Sequence, residues 1–367
     1  MSFDMLEYNR SDFDEKVFRS APDVLVEAVS MKGVAPENYH ATTIFPEYFK
    51  VKGKWILAEK SRMDCVAVLK SNNEKQIDKI EIKEFRKLEP GDKVILGRTE
   101  DGSQGIYVHT SGFSSKKDST DSFAFRTGKS RETSYSRDYD RLYDLLKYER
   151  DNGYIVWVLG PAVVFDADSR RAMVALIENG FADAIFAGNA VATHDLEAAL
   201  FHTALGQDIY TKNYLPNGHY NHIDAINKAR RAGSFEKLIQ EEKINDGIVY
   251  TCLKNKIELI LAGSIRDDGP LPSVISDVYA AQNSMREHAR KATTVLMLAT
   301  QLHSIATGNM TPSYQVINGM VRPVYIYTID ISEFAVNKLR DRGSLEVSSI
   351  ITNVQDFLVH LERNLAK

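Results

Sequence analysis

Two alternating rhythms organise the hydrophobic positions in the second half of the chain. Residues 155–159, 184–186, 257–261, 294–298 and 324–329 are short, mostly aliphatic runs of the kind that form strands buried on both faces. Between or after them, residues 169–179, 196–205, 223–232, 273–290 and 333–340 place apolar side chains at helical intervals. Residues 347–351 read as a last strand and 354–365 as a closing helix. Strands alternating with helices predict an α/β architecture, a mainly parallel sheet covered by helices on both faces.

The first half reads differently. Ala21-Pro22-Asp23 leads into 24–31, expected to be a short helix with Pro22 in a tolerant first-turn position and Gly33 as its stop. Residues 48–52, 54–59, 63–69, 76–82, 93–96 and 105–109 are short β-rich runs at hairpin spacing. A β-rich amino-terminal domain over 1–110 follows. From 111 to 137 the composition turns to Ser, Thr, Lys, Arg and Asp with few aliphatics, which predicts a linker or mobile loop. A helix over 138–151 then opens the alternating region, which spans 138–367 and is long enough for two subdomains.

Composition narrows the function classes. The 367 residues carry a formal net charge of −4, with both signs interleaved. That offers no basic face on which a nucleic acid could release counterions, so none is expected as a partner. The two cysteines, Cys65 and Cys252, have no CxxC neighbour. Neither a disulfide framework nor a thiolate zinc site is signalled, no metal is expected, and a reducing, cytoplasmic setting fits. The amino terminus lacks the basic start and apolar core of a secretory signal, and no apolar run approaches the ~20 residues of a membrane span.

Candidate chemistry gathers where the buried strands end. Ligands of open α/β sheets bind outside the carboxyl ends of the strands. The run Leu261 to Pro272 leaves its strand through Gly263 into the charged turn Ser264-Ile265-Arg266-Asp267-Asp268. Its Arg and Asp either serve a ligand or merely cap a helix and pair with each other. Gly160 permits a close backbone approach. Gly188-Asn189-Ala190 precedes a helix expected to start near Thr193-His194-Asp195, a setting suited to a phosphate or to a plain turn capped by Thr193 or Asp195. Thr300-Gln301-Leu302-His303 follows the fourth strand. Asp330, after the fifth, can accept both hydroxyls of an adenosine ribose or cap the helix that starts at Ser332. No GxGxxG follows any predicted strand.

Together these residues carry a resemblance. Leu159 to Val164, Ala187-Gly188-Asn189-Ala190 with Thr193-His194-Asp195, Leu261 to Pro272, Met297 to Ser304 and Asp341-Arg342-Gly343-Ser344 resemble the lysine-oxoglutarate reductase/saccharopine dehydrogenase conserved-region family. Tyr39-His40-Ala41-Thr42 and Arg62-Met63-Asp64-Cys65 extend the likeness into the β-rich domain. The characterised branch is the archaeal-type ornithine cyclodeaminase, found also as the carboxyl-terminal part of arginine dihydrolase/ornithine cyclodeaminase proteins. The resemblance implies a Rossmann-like region holding NAD. Its cofactor contacts would be Asn189, Ala190, Asp268, Thr300, Gln301, Leu302, His303, Asp330, Asn353 and Val354. Asn353 stands where the family pattern usually has Asp, and Gln301 replaces an apolar residue. The arginine-hydrolysing activity of the fused proteins is not expected.

The implied reaction converts L-ornithine to L-proline and ammonia by internal hydride transfer, so the partner is a small amino acid and NAD is returned unchanged. The attacking amine, with a solution pKa of ~10.4, has to lose its proton, and water has to be kept from the imine. Candidate residues are Asp267 as base or amine anchor, with Arg266 or Arg62 as a fork for the substrate carboxylate. A homo-oligomer is expected. Alternatives are an opine- or saccharopine-type dehydrogenase that consumes NADH, and a non-catalytic NAD-binding sensor.

Overall fold

The computed structural model describes residues 3, 5–72, 77–114, 135–267, 270–332 and 344–366. Asp268, the predicted helix 333–340 and most of the predicted linker lie outside the described residues. The alternating region forms one six-stranded parallel sheet. Its strands are β1 (Ile155–Leu159), β2 (Ala184–Gly188), β3 (Glu258–Ala262), β4 (Thr294–Leu298), β5 (Tyr325–Asp330) and β6 (Glu346–Ile351). They lie in the order 3-2-1-4-5-6. That is the doubly wound order whose switch point falls between strands 1 and 4.

Burial explains why these runs are strands. Ile155, Trp157 and Leu159 point into one core, and Val156 and Val158 into the other, all five without solvent exposure. A period of two with both faces covered needs a continuous apolar run. The first face is covered by α1 (Tyr135–Asn152), α2 (Ala167–Glu178) and the last helix, α9 (Val354–Leu365). Also on this side are α3 (Asn189–Phe201), α4 (His219–Ala232), α5 (Phe235–Glu242) and α6 (Ile248–Asn255). The second face is covered by α7 (Val278–Ala289), through Ala281, Met285 and Ala289, and by α8 (Gln301–Met310), through Met310. Trp157 Nε1 donates to the Phe181 carbonyl at 2.7 Å, so the largest buried side chain leaves no polar atom unpaired.

In the amino-terminal part a four-stranded antiparallel sheet packs on a three-stranded one around Phe49, Cys65, Ile80, Ile95 and Ile106. The expected helix at 24–31 is instead the strand Leu25–Ala28, paired antiparallel with Lys93–Leu96. Val24-Leu25-Val26 is β-prone, and the ladder to 93–96 supplies partners that a two-turn helix would lack. Gly33, at φ +77°, turns the chain rather than ending a helix.

Three helix starts also differ. α7 begins at Val278, where Asp277 accepts from the Ala280 N–H at 2.6 Å, while Ile275 upstream bridges Ala262 as a short extension of the sheet. α4 begins at His219 rather than 223. α3 begins at Asn189, so Thr193 and Asp195 are buried within it rather than capping it. Asp195 instead accepts from the Ile248 and Val249 N–H groups, at 3.0 and 2.8 Å, and from Arg170 Nε at 2.6 Å. It caps α6 across space, a role local sequence does not show.

The two parts share buried contacts. A hairpin, Tyr314–Ile317 with Met320–Pro323, leaves the sheet region and reaches the β-rich part. Tyr314 donates its hydroxyl to the Ala58 carbonyl, and the Ser313 N–H donates to the Ser61 carbonyl at 3.1 Å. No helix among the described residues is long and apolar enough to cross a membrane.

Candidate functional site

At the switch point the backbones of β1 and β4 touch. Gly160 N–H donates to the Leu298 carbonyl at 2.8 Å, and a Cβ built on Gly160 would lie 2.0 Å from the Ala299 oxygen. Ala299 itself sits at φ +49°, a left-handed conformation costly for a residue with a side chain. The loops after β1 and β4 part at this point, the position where the ligand crevice of a doubly wound sheet lies.

A ladder of contacts carries this crevice across the sheet edge. The Leu271 N–H donates to Asn189 Oδ1 at 3.0 Å, tying the end of β2 to the loop after β3. His303, in the first turn of α8, packs over Gly188, where an added Cβ would meet its Cε1 at 3.0 Å. Ala299 N–H donates to the Ile329 carbonyl, 3.0 Å, and Thr352 N–H to the Asp330 carbonyl, 3.1 Å. Gln355 Nε2, at the start of α9, reaches the Ala162 carbonyl after β1 at 3.2 Å. The loops after all six strands thus adjoin along one rim.

Two helices aim their amino termini at this rim. α3 starts behind Gly188 and α8 behind Thr300, and neither has a side chain capping its first N–H groups. Uncapped donors and a positive dipole end make an anion site. Ala190 is exposed at the mouth. Three large apolar side chains rim it after β3, β4 and β5: Ile265 fully exposed, Leu302 at 68% and Ile331 at 72%.

Asp267 and His303 share this crevice. Asp267 Oδ2 accepts from the Ser264 N–H at 2.8 Å, and the Arg266 N–H donates to Ser264 Oγ at 3.2 Å, so the turn holds itself in shape. Arg266 is exposed and makes no ion pair with a carboxylate among the described residues. Burial pushes the His303 imidazole below its usual range, and the nearby Asp267 carboxylate only partly offsets this. His303 is therefore neutral at pH 7, with Nδ1 3.4 Å from Thr300 Oγ1. Asp330, half-buried, accepts from the Ser332 N–H at 2.9 Å, and Asn353 caps α9 by accepting from Gln355 N–H at 2.7 Å. Val354 is buried beneath it. Among the described residues no group of three or more His, Cys, Asp or Glu is placed to hold a metal ion.

Arg62 stands apart, at the other end of α8, about 15 Å along its axis. It is buried, donates to the Met310 carbonyl at 3.2 Å and pairs with Glu84, which Arg286 Nε also approaches at 2.7 Å. The structure thus brings Asn189, Ala190, Thr300, Gln301, Leu302, His303, Asp267, Arg266 and Asp330 to one edge, and places Arg62 in an ion cluster between the two parts. Of the exposed Ile265, Leu302 and Ile331, the sequence reading named Leu302 and missed Ile265 and Ile331. An isoleucine inside an otherwise charged turn was the available signal.

The fold is that of an α/β protein with a doubly wound parallel sheet, and the candidate site lies at its switch point. Comparison with known proteins narrows this. Residues 142–361 match the family described as arginine dihydrolase ArgZ-like, C-terminal, Rossmann fold, and residues 46–136 match its C-terminal first region. The chain is 38% identical over 346 residues to the ornithine cyclodeaminase of Methanopyrus kandleri, covering 94% of this chain and 79% of that one. It is 34% identical to the bifunctional arginine dihydrolase/ornithine cyclodeaminase AgrE of a Nostoc species, covering 94% of this chain and 47% of that one. A conserved LOR/SDH protein from Methanococcus maripaludis S2 superposes with a TM-score of 0.82 at 34% identity, over 94% of this chain and 98% of that one. AgrE in complex with ornithine and NAD+ superposes with a TM-score of 0.57 at 32% identity, over 94% of this chain and 46% of that one. The chain belongs to the family of these ornithine cyclodeaminases and ArgZ-like carboxyl-terminal regions.

Proposed function

We propose that the protein is an NAD-dependent ornithine cyclodeaminase, converting L-ornithine to L-proline and ammonia. The carrying observation is the β1–β4 switch point, where His303 of α8 packs on Gly188 at the start of α3 and both helices begin uncapped. The uncapped N–H groups of α3 and α8 fit a pyrophosphate, and Asp330 beside Ala299 fits a ribose. Asn189, whose Oδ1 is occupied by Leu271, offers its carboxamide N–H groups. Bound NAD would supply reversible acceptance of the hydride from the substrate Cα.

The chain's own residues do the rest. Arg266 pairs with the substrate carboxylate. Asp267 anchors the terminal amine and takes its proton, since only the neutral amine can attack. Neutral His303 keeps a second positive charge away from the reacting carbon. Ile265, Leu302 and Ile331 exclude water from the imine, which would otherwise hydrolyse to a keto acid. Arg62 acts through position, holding the carboxyl end of α8 and so the helix that carries His303. Atoms balance as ornithine equals proline plus ammonia, with no net redox change.

The same reading makes the protein a cytoplasmic homo-oligomer serving proline formation. Cys65 and Cys252, both buried and unpaired, fit a reducing compartment. Tyr210, Tyr214 and Tyr220, 55–84% exposed between β2 and β3, supply an apolar surface for self-association. Incubation of the NAD-loaded protein with ornithine tests the proposal. Proline and ammonia should appear in equal amounts with no build-up of NADH. Accumulating NADH, or keto-acid-dependent NADH oxidation without action on ornithine, would replace it with the dehydrogenase reading.

A further inference from the structure

Away from the crevice, a cleft of about 450 Å³ lies between the β-rich part and α7, lined by Lys32, Lys83, Arg86, Lys87 and Arg290, with Glu81, Glu89 and Asn283. Its charges do not balance. Lys32 is matched by Glu89 at 2.6 Å, and Lys83 by Asp92 at 2.8 Å. The remaining lining cations, Arg86, Lys87 and Arg290, are backed by the buried Arg62 and Arg286. Among the described residues, Glu84 is the carboxylate these five face, and four of them approach it directly. Arg86 donates to neutral oxygens, Gln282 Oε1 at 2.9 Å and Asn283 Oδ1 at 2.8 Å, with no carboxylate partner among the described residues.

Arg286 is 4% exposed, and its Nη1 has no acceptor among the described residues; its Nε lies close to Glu84 but off the hydrogen-bond direction. A buried guanidinium short of acceptors among like charges is costly unless an anion joins it. The excess positive charge is felt on both sides. Burial, with repulsion from Arg62, Arg86 and Arg290, brings Arg286 down to about 10, and burial with its basic neighbours lowers Lys87.

We propose that this cleft is a binding site for a small polyanion bearing phosphate or carboxylate groups, distinct from the crevice at the switch point. The ligand bridges Lys87 and Arg86 of the β-rich part to Arg290 at the end of α7, and so fixes the two parts against each other. α7 follows directly on the loop that carries Arg266 and Asp267, which gives the anion a mechanical route to that loop.

The test uses NAD-saturated full-length protein, so that the crevice is already filled, at constant ionic strength. Pyrophosphate and citrate are titrated separately by calorimetry and by thermal shift against chloride. Saturable binding of either is expected, and which one binds tells a phosphorylated ligand from a polycarboxylate. Lys87→Gln with Arg290→Gln, both half-exposed positions, should weaken it at least about tenfold. Lys87→Arg should retain it. Absence of saturable binding by both anions, or binding unchanged in the double variant, overturns the proposal, whatever the outcome with ornithine. Unchanged near-ultraviolet circular dichroism of Lys87→Gln alone guards against loss of fold as the cause.

Discussion

Gly160→Ala is the sharpest probe of the switch point. The native φ of Gly160 is −91°, open to any residue, so the substitution tests space alone. The new Cβ would meet the Ala299 oxygen at 2.0 Å, its carbonyl carbon at 2.6 Å and the Leu298 oxygen at 3.1 Å. All three are backbone atoms of β4 and its exit, so no side chain can swing aside. Relief requires β1 and β4 to separate by more than an ångström, breaking the Gly160 to Leu298 hydrogen bond. Overpacking of this kind costs about 3 kcal/mol. For a region of this size that corresponds to a fall in melting temperature of about 6–12 °C. NAD affinity should drop more than tenfold, because the loops that diverge at this point are the ones proposed to hold the cofactor. Gly188→Ala is the internal control. Its Cβ meets only the His303 ring edge at 3.0 Å, which can rotate away, so stability should change little while NAD binding weakens moderately. Differential scanning fluorimetry and NAD titration by fluorescence measure both. A Gly160→Ala protein that melts within 2 °C of wild type, a margin set by about 1 kcal/mol, and binds NAD normally would refute the reasoning.

Asp267→Asn should lower kcat at least about a hundredfold while leaving the melting temperature nearly unchanged, since an amide oxygen still accepts from Ser264; steady-state proline formation reads it. Arg62→Ala should destabilise by about 1–3 kcal/mol by leaving the Met310 carbonyl without its donor, while Lys87, Arg286 and Arg290 still face Glu84, measured by urea unfolding. A stable Arg62→Ala protein with lost activity would instead place Arg62 on the substrate. For His303 the folded pKa lies below the unfolded value of 6.5. Its contribution is therefore fully present above pH 6.5 and is lost as pH falls through the folded value, so His303→Gln should flatten the stability profile on the acid side of 6.5.

Much of the sheet was readable from the chain. A strand covered on both faces leaves an uninterrupted apolar run, and 155–159 and 294–298 were placed to the residue. Order across the sheet was not, because pairing between β1 and β4 joins segments 139 positions apart with no local mark. Leu25–Ala28 misled for the opposite reason: its pattern is short, and a partner at 93–96 decided it. The site divided along the same line. Asn189, His303 and Asp330 follow strand ends and could be found there. Asp195 as the cap of α6, and Arg62 as the anchor of α8, depend on contacts between distant segments. The sequence around each gives no hint of them.

The Tyr314 hairpin and the Arg62–Glu84–Arg286 cluster bear on heredity as well as on folding. Ala58, Ser61 and Arg62 bury their polar groups against atoms more than 240 positions downstream. Either half inherited by itself would expose unpaired guanidinium and carbonyl groups. A gene fusion or duplication can therefore transmit this catalytic cassette whole or lose it. The Nostoc relative, named bifunctional and aligned with 94% of this chain over 47% of its own length, is what such indivisibility would produce.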